Sequence, residues 1–174
     1  MGHIVVYNAT AKIPAEQAWE KLKDLSQAHN YVPGITKCEI TTAKKEGVGA
    51  SRRVSGPQQA LDETVIEWNE GRGFVIRLHK GDKFAKPFGE AKFTYRIDKI
   101  DAKTCKLTCT MTYEMGMGFV GGILHSLFLG NLISKNIRDV TLSLAAFYET
   151  GKRITKEDLV RLRAEDKKNA KPFP

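Results

Sequence analysis

The stretch FTYRIDKIDAKTCKLTCTMTYEM, residues 93–115, decides the fold. From Cys105 to Met115 an apolar side chain occupies every second position, and lysine, threonine or glutamate occupies each position between them. Successive side chains of a strand point to opposite faces, so this run predicts a strand with one apolar and one solvated face. Phe93, Tyr95 and Ile97 repeat the pattern. Such alternation is typical of an antiparallel sheet that is covered on one side.

Short strand-like runs separated by turn residues precede this hairpin and favour a meander of about seven strands. One of them stays ambiguous, because Leu61 and Val65 fall on one face of a strand and Ile66 and Trp68 on the other. The sequence therefore leaves the inner face of that strand open. The predicted strands cover approximately residues 3–11, 35–43, 49–55, 60–69, 73–79, 89–100 and 104–115.

Two stretches have helical spacing instead. Apolar residues recur three or four apart from Ala15 to about Leu25, which predicts an amphipathic helix. A long helix is predicted over residues 121–150, followed by the C-cap glycine Gly151. Thirty helical residues would span roughly 45 Å, so we expect an irregular start or a bend near Gly130. The apolar stripe of this helix comprises Leu124, Phe128, Ile137, Val140, Leu144, Phe147 and Tyr148.

The C-terminal segment is strongly basic, with eight Lys or Arg against four Asp or Glu in residues 152–174. Thr155 and Asp158 have capping-box spacing, which predicts a short helix there. We expect one domain over residues 1–153 and a basic tail over 154–174 that is partly disordered. The tail is interpreted as a solvated end, and attraction to anionic lipid or polyanions is the alternative.

The composition is that of a globular chain: 174 residues, 41% apolar and 28% charged. Three cysteines, Cys38, Cys105 and Cys109, match no zinc pattern, and we expect reduced thiols, a cytoplasmic location and neither metal nor cofactor.

The N-terminus has no secretory signal pattern. Residues 115–134 carry no formal charge, but their glycines and polar residues argue against a membrane span. The alternative is that this apolar segment forms a lid that contacts a membrane transiently.

The order of elements, a strand, two short helices, six strands and a long helix, resembles the START/polyketide cyclase (SRPBCC) superfamily. The segments that carry the likeness are AEQAWEKLKDLSQAHNYVPGITKCEI (residues 15–40), GVGASRRV (47–54) and LDETVIEWNEGRGFVIRLHKG (61–81). The likeness covers residues 3–151. It implies an α+β helix-grip fold, in which a curved antiparallel sheet closes over the C-terminal helix around a cavity for lipids, aromatic compounds or polyketides.

Several residues are predicted to bind a ligand in that cavity, although core packing explains most of them almost as well. Arg52 and Arg53 are adjacent on a strand, so they point to opposite faces, and three roles stay open: anchoring a ligand carboxylate, pairing with Glu63 or Glu67, and simple exposure. His125 is a polar contact, a general base or a wall residue. The predicted site comprises Arg52, Phe74, Ile76, Phe93, Tyr95, Met111, Tyr113, Phe119, Leu124, His125 and Phe128.

The glycines Gly116, Gly118 and Gly121 match the dinucleotide fingerprint GxGxxG. The preceding strand is one-faced and no βαβ unit follows, so we interpret these glycines as a mobile connection beside the cavity mouth.

The leading functional hypothesis is binding or carriage of an apolar small molecule. A cyclase or dehydratase that uses Arg52 with Tyr113 or His125 is the enzymatic alternative. A membrane-surface or protein-interaction module is the third reading. Nucleic-acid binding is disfavoured, because no basic motif is interleaved with exposed aromatic residues.

Overall fold

The computed structural model describes residues 2–57, 60–116 and 123–169, with the side chains of 123–127 outside that description. Eight strands and four helices lie within these ranges. The strands are β1 (Gly2–Ala11), β2 (Lys37–Ile40), β3 (Ser51–Ser55), β4 (Ala60–Asn69), β5 (Gly73–Lys80), β6 (Lys83–Phe84), β7 (Phe88–Lys99) and β8 (Cys105–Met115). The helices are α1 (Ala15–Leu22), α2 (Ala28–Tyr31), α3 (Ile123–Thr150) and α4 (Lys156–Asn169), with a 3-10 turn at Leu25–Gln27.

All strand pairings in the sheet are antiparallel, in the order β1-β8-β7-β5-β4-β3-β2. The curved sheet and the long C-terminal helix confirm the predicted helix-grip architecture. The sequence missed only the two-residue strand β6, which pairs with the end of β5 and brings the total to eight. A strand this short carries no readable alternation, so the hydrophobic pattern had no means of finding it.

The alternation in β8 gives the sheet its inner face. Its odd-numbered residues from Cys105 to Tyr113 are all buried, and the residues between them are exposed or half-buried. The same side of the neighbouring strands is buried at Phe93, Tyr95 and Ile97. Together with α3 these residues form one hydrophobic core. The predicted inner faces of β7 and β8 are therefore correct.

A β-bulge explains why the inner face of β4 was unreadable. Val65 pairs with Ile76, but two residues later Glu67 pairs with Val75, because the register shifts between them. The extra residue lets Val65 and Trp68 face inward although they are three apart in sequence. Trp68 then stacks on the buried Phe74, with ring centroids 5.5 Å apart.

Helix α3 runs without interruption through Gly130 and ends where predicted. Gly151 has a left-handed φ of 67°, and its N–H donates to the Phe147 carbonyl at 2.8 Å, which is the expected C-cap. Ile137, Val140, Leu144 and the two aromatic residues that follow are buried. Phe128 corrects the predicted stripe, because 69% of its surface is exposed.

Helix α4 begins with the predicted capping box. The Asp158 N–H donates to the Thr155 hydroxyl, and the Thr155 N–H donates to the Asp158 carboxylate, both at 3.1 Å. The helix packs on α3 through Arg163, whose Nε donates to Asp139 Oδ1 at 2.8 Å and whose Nη2 donates to Asp139 Oδ2. Tyr7 on β1 donates to Asp166 at 2.6 Å. Residues 156–169 are thus a helix that is attached to the sheet and to α3.

The Asp139–Arg163 pair is testable because the carboxylate is buried and the exposed Arg161 supplies a matched control. We expect Arg163→Ala to lower the free energy of unfolding by about 2 kcal/mol, since it leaves the Asp139 charge buried without its bidentate partner. Arg161→Ala changes it by less than about 0.5 kcal/mol. Urea unfolding measures both, and adding Asp139→Asn to Arg163→Ala is expected to restore part of the loss. Equal losses in the two arginine variants would contradict this packing.

Candidate ligand-binding site

A cavity of about 1000 Å³ lies between the inner face of the sheet and α3. Its walls come from the segment after α2, strands β3 to β8 with the β5–β7 connection, the middle of α3, and Arg163 of α4. Most of the lining is apolar, which favours an apolar occupant. The apolar lining comprises Val32, Pro33, Ile35, Val54, Ala60, Leu61, Leu78, Phe84, Ala85, Pro87, Phe88, Phe93, Met111, Leu129, Leu132, Ile133, Ile137 and Val140.

The structure brings three of the predicted site residues to this cavity: Phe93, Tyr95 and Met111. Phe74 and Ile76 are buried but are not part of the lining. Tyr113 is buried between His3 and Phe88, with ring centroids 5.0 and 5.2 Å away, and is also outside the lining.

Of the remaining predicted residues, Arg52 is buried and lies outside the lining, and the others divide into two groups. Phe128 points to solvent and does not line the cavity. Phe119 and the side chains of Leu124 and His125 lie outside the described residues, as do Gly118 and Gly121 of the glycine motif.

One end of the inner face is packed with aromatic side chains that contact one another. Trp19 of α1 contacts Trp68, which stacks on Phe74, and Phe74 contacts Tyr95 at a centroid distance of 5.2 Å. The two indole N–H groups donate to opposite oxygens of the Glu70 carboxylate, at 2.9 and 2.8 Å. This packing explains why Phe74 contacts other side chains while Phe93, on the adjacent strand, faces the cavity.

Arg52 is the inward-facing member of the arginine pair, and it is 1% exposed. Its Nε donates to Glu63 Oε2 at 2.5 Å and its Nη1 donates to the Leu25 carbonyl at 2.7 Å. Its buried Nη2 has no hydrogen-bond partner among the residues that the structure describes. Arg53 faces outward and pairs with Asp62 at 2.7 Å. Simple exposure of Arg52 is therefore ruled out, and Glu63 is its structural partner.

Three buried tyrosines, Tyr31, Tyr95 and Tyr148, lie near enough to Arg52 for its charge to act on their pKa values. The Tyr31 and Tyr95 rings meet edge-on with centroids 6.3 Å apart. Burial raises the pKa of Tyr31, although the Arg52 charge and the Tyr95 hydroxyl act against that rise. Burial also raises the pKa of Tyr95 and of Tyr148 well above the usual value. All three hydroxyls thus stay protonated at neutral pH and can donate hydrogen bonds.

Arg52 itself keeps its charge in this setting. Burial alone would lower the pKa of Arg52, but the negative charge of Glu63 raises it well above its usual value. Glu63 and Tyr95 both line the cavity, so they connect the polar cluster to the apolar space. Tyr148 Oη, like Arg52 Nη2, is buried without a hydrogen-bond partner in the described part of the chain. The cluster therefore has unused donors beside an apolar cavity.

Sequence reasoning missed Tyr31 and found Tyr148 only as a stripe residue. Tyr31 lies in the short α2, directly before the Val32-Pro33-Gly34 turn, where its 4% exposure comes from tertiary packing against β7 and α3. The adjacent Arg52 and Arg53, with Glu63 or Glu67 as a possible partner, were the signal in the sequence that pointed to this polar end, and the structure pairs Arg52 with Glu63.

The cysteines carry no reactive thiolate in this arrangement. Burial raises the pKa of Cys105 to about 11 and that of Cys109 to about 12, so both thiols stay protonated at neutral pH. Within the described ranges no cluster of three or more His, Cys, Asp or Glu side chains could hold a metal ion. Nor does any helix in those ranges have the length and apolar character needed to cross a membrane.

A family model described as polyketide cyclase/dehydrase and lipid transport matches residues 3–149. Among curated proteins, none matches this chain.

Solved structures with the same fold are similar in shape and distant in sequence. The Zhui aromatase/cyclase from Streptomyces sp. R1128 superposes with a TM-score of 0.70 at 18% identity, over 86% of this chain and 94% of that one. A START superfamily protein from Mycobacterium smegmatis has a TM-score of 0.65 at 15% identity, over 86% of this chain and 99% of that one. Ara h 8.0201 has a TM-score of 0.62 at 13% identity, over 85% of this chain and 98% of that one. At these identities the likeness shows a shared fold.

The buried and exposed arginines of β3 allow a matched test of the polar cluster. We expect Arg52→Met to lower the free energy of unfolding by about 3 kcal/mol, because it leaves the Glu63 carboxylate buried without a counter-charge. Arg53→Met is expected to change it by about 1 kcal/mol or less, since the Arg53 side chain is half exposed and the Gly81 N–H still donates to Asp62 Oδ2 at 2.9 Å without it.

Urea unfolding followed by circular dichroism measures both variants. The double variant Arg52→Met/Glu63→Met removes both charges and is expected to be more stable than Arg52→Met alone. A loss for Arg52→Met no larger than for Arg53→Met would show that the inner pair is not desolvated.

Proposed function

The chain belongs to the polyketide cyclase/dehydrase and lipid transport family, and on that premise we propose that its cavity binds and carries an apolar small molecule. The observation that supports this proposal is the largely apolar cavity of about 1000 Å³ with a buried polar cluster beside it. A cavity of this size is large enough to enclose most of a lipid-sized or polyketide-sized molecule. The three cysteines are free, which favours a reducing compartment, and we propose the cytoplasm.

The apolar lining supplies the affinity in this proposal. Each square ångström of apolar ligand surface removed from water contributes about 25 cal/mol. Contacts of this kind are not directional, so they suit a flexible chain or a fused ring system equally well. Ile137, Phe93 and Met111 supply such contacts from α3, β7 and β8.

The polar cluster supplies the orientation. An unpaired buried donor costs free energy until a partner reaches it. A carbonyl, hydroxyl or carboxylate oxygen on one end of the ligand would satisfy Arg52 Nη2 or the Tyr148 hydroxyl. We therefore propose a ligand with an apolar body and an oxygen-bearing end, which enters with that end toward Tyr95 and Glu63.

Catalysis of a cyclase or dehydratase type is the second candidate, favoured by the charged Arg52 beside protonated tyrosines. Such donors polarise a carbonyl. The alternative formulated from the sequence also used Tyr113, which packs against His3 and Phe88 outside the cavity lining. Arg52 and Tyr148 lie just outside the lining, and the two carboxylates within it, Glu63 and Asp139, are each paired with an arginine, so we propose binding as the main function.

Native mass spectrometry of freshly purified protein tests the proposed function directly. We expect a fraction of the protein to carry an added mass that is released on denaturation and belongs to an apolar molecule with at least one oxygen. Stripped protein is expected to take up cis-parinaric acid and to return it chemically unchanged. Empty protein that also fails to take up the probe would refute carriage, and a converted small molecule would favour the enzyme.

Two valines distinguish an empty cavity from a filled core. Val54 lines the cavity, whereas Val65 is 1% exposed and lies outside the lining. We expect Val54→Phe to occupy cavity space, weaken cis-parinaric acid binding at least about fivefold and change the free energy of unfolding by less than about 1 kcal/mol. Val65→Phe is expected to overpack the core and to lower the free energy of unfolding by about 1–3 kcal/mol.

Fluorescence titration and urea unfolding measure the two effects. If Val54→Phe destabilises the protein as much as Val65→Phe does, the space beside Val54 is already filled and the proposed cavity is wrong.

A further inference from the structure

The solvent-exposed residues of the cavity lining form its mouth. Apart from Ala60 at the start of β4, they lie on two parts of the chain, the end of β5 with the β5–β7 connection and the N-terminal half of α3. We define the mouth surface as the apolar Phe84, Phe128 and Leu132 together with Lys80, Lys83, Lys86 and Lys135. All of these except Phe128 line the cavity, and Phe128 lies one helical turn before Leu132 on the same face of α3.

The apolar part of this surface is unusually exposed. Phe84, Phe128 and Leu132 are 61%, 69% and 54% exposed. On α3 the same helical face continues to Asp139, which Arg163 of α4 covers. The described part of α4 leaves Phe128 and Leu132 uncovered. Large apolar side chains grouped around a cavity opening mark a contact site.

The charged part of the surface is positive. Asp82 is the one acidic residue in the connection that carries Lys80, Lys83 and Lys86. None of the four mouth lysines has a carboxylate within 4 Å in the ranges that the structure describes. The lysine ion pairs in those ranges are made by Lys23, Lys37, Lys92, Lys99 and Lys106. The mouth lysines are thus available to an external anion.

We propose that the mouth surface docks on an anionic lipid bilayer, where the cavity exchanges its ligand. Exposed aromatic side chains insert at the boundary between head groups and acyl chains, and lysines beside them are attracted to anionic head groups. A bilayer fits both features at once, and it is the phase in which an apolar ligand dissolves. The inference rests on the proposed function, because docking places the mouth of that same cavity against the lipid.

Vesicle co-sedimentation of the full chain tests the docking surface. We expect binding to phosphatidylcholine vesicles that contain phosphatidylserine, and much weaker binding to phosphatidylcholine alone. Lys83→Glu/Lys86→Glu is expected to weaken binding at least about tenfold. Phe84→Ser/Phe128→Ser is expected to weaken it as well, and both residues are exposed enough to be replaced without loss of the core.

Two charge-matched controls make the result specific. Lys45 and Lys103 are exposed residues of the β2–β3 and β7–β8 connections, outside the cavity lining, and Lys45→Glu/Lys103→Glu is expected to reduce binding less than about threefold. Lys167→Glu/Lys168→Glu makes the same change on α4. Equal losses in the mouth and control variants would show unspecific attraction, and a larger loss for the α4 variant would assign binding to the basic tail. Either result, or a wild type that does not sediment, overturns the proposal.

Uptake of cis-parinaric acid without vesicles separates this proposal from the function on which it rests. Phe128→Ser is expected to weaken vesicle binding and yet to take up the soluble probe within about twofold of the wild type, since Phe128 lies outside the cavity lining. Wild-type protein that binds vesicles through the mouth but takes up no probe would refute the ligand proposal and leave the docking surface standing.

Discussion

The architecture depends on how far the inner face of the sheet is filled. One end is packed by Trp19, Trp68 and Phe74: Trp19 meets Trp68 edge-on, Trp68 stacks on Phe74, and the Glu70 carboxylate accepts hydrogen bonds from both tryptophans. Beyond Tyr95 the same face of the sheet, including Phe93, lines the cavity. The solid end holds α1 and the strands in place, so the open end does not need its own core. The cavity is therefore a region where packing stops, bounded by a region where it is complete.

Much of this fold could be read from the sequence, because alternation and helical spacing depend on local residue types. The inner faces of β7 and β8, the Gly151 cap and the Thr155–Asp158 capping box all follow from neighbours within a few positions. The inner face of β4 could not be predicted, because its bulge between Val65 and Glu67 breaks the two-residue period. A pattern also cannot tell a lining residue from a core residue: Phe74 and Phe93 have the same character, and only the tertiary structure separates them.

The C-terminal segment shows a related limit of sequence reasoning. A charge count gives residues 152–174 the character of a solvated tail, because it sums charges without their partners. In the structure Arg163 neutralises a buried aspartate, and Asp166 accepts from Tyr7, so some of those charges are used for attachment. Arg163 and Asp139 also line the cavity. Helix α4 is thus part of the cavity wall, although the family match ends at residue 149.

The protonation states of the buried cluster bear on whether the cavity binds or catalyses. An enzyme that moves a proton needs a group that accepts it near neutral pH. Burial raises the pKa of Tyr31, Tyr95 and Tyr148, so these hydroxyls hold their protons, and the Glu63 charge is engaged by Arg52. Groups of this kind donate hydrogen bonds to an oxygen without withdrawing a proton from the molecule that carries it. Such an end supplies the hydrogen-bond donors that the proposed carriage of an oxygen-bearing ligand requires.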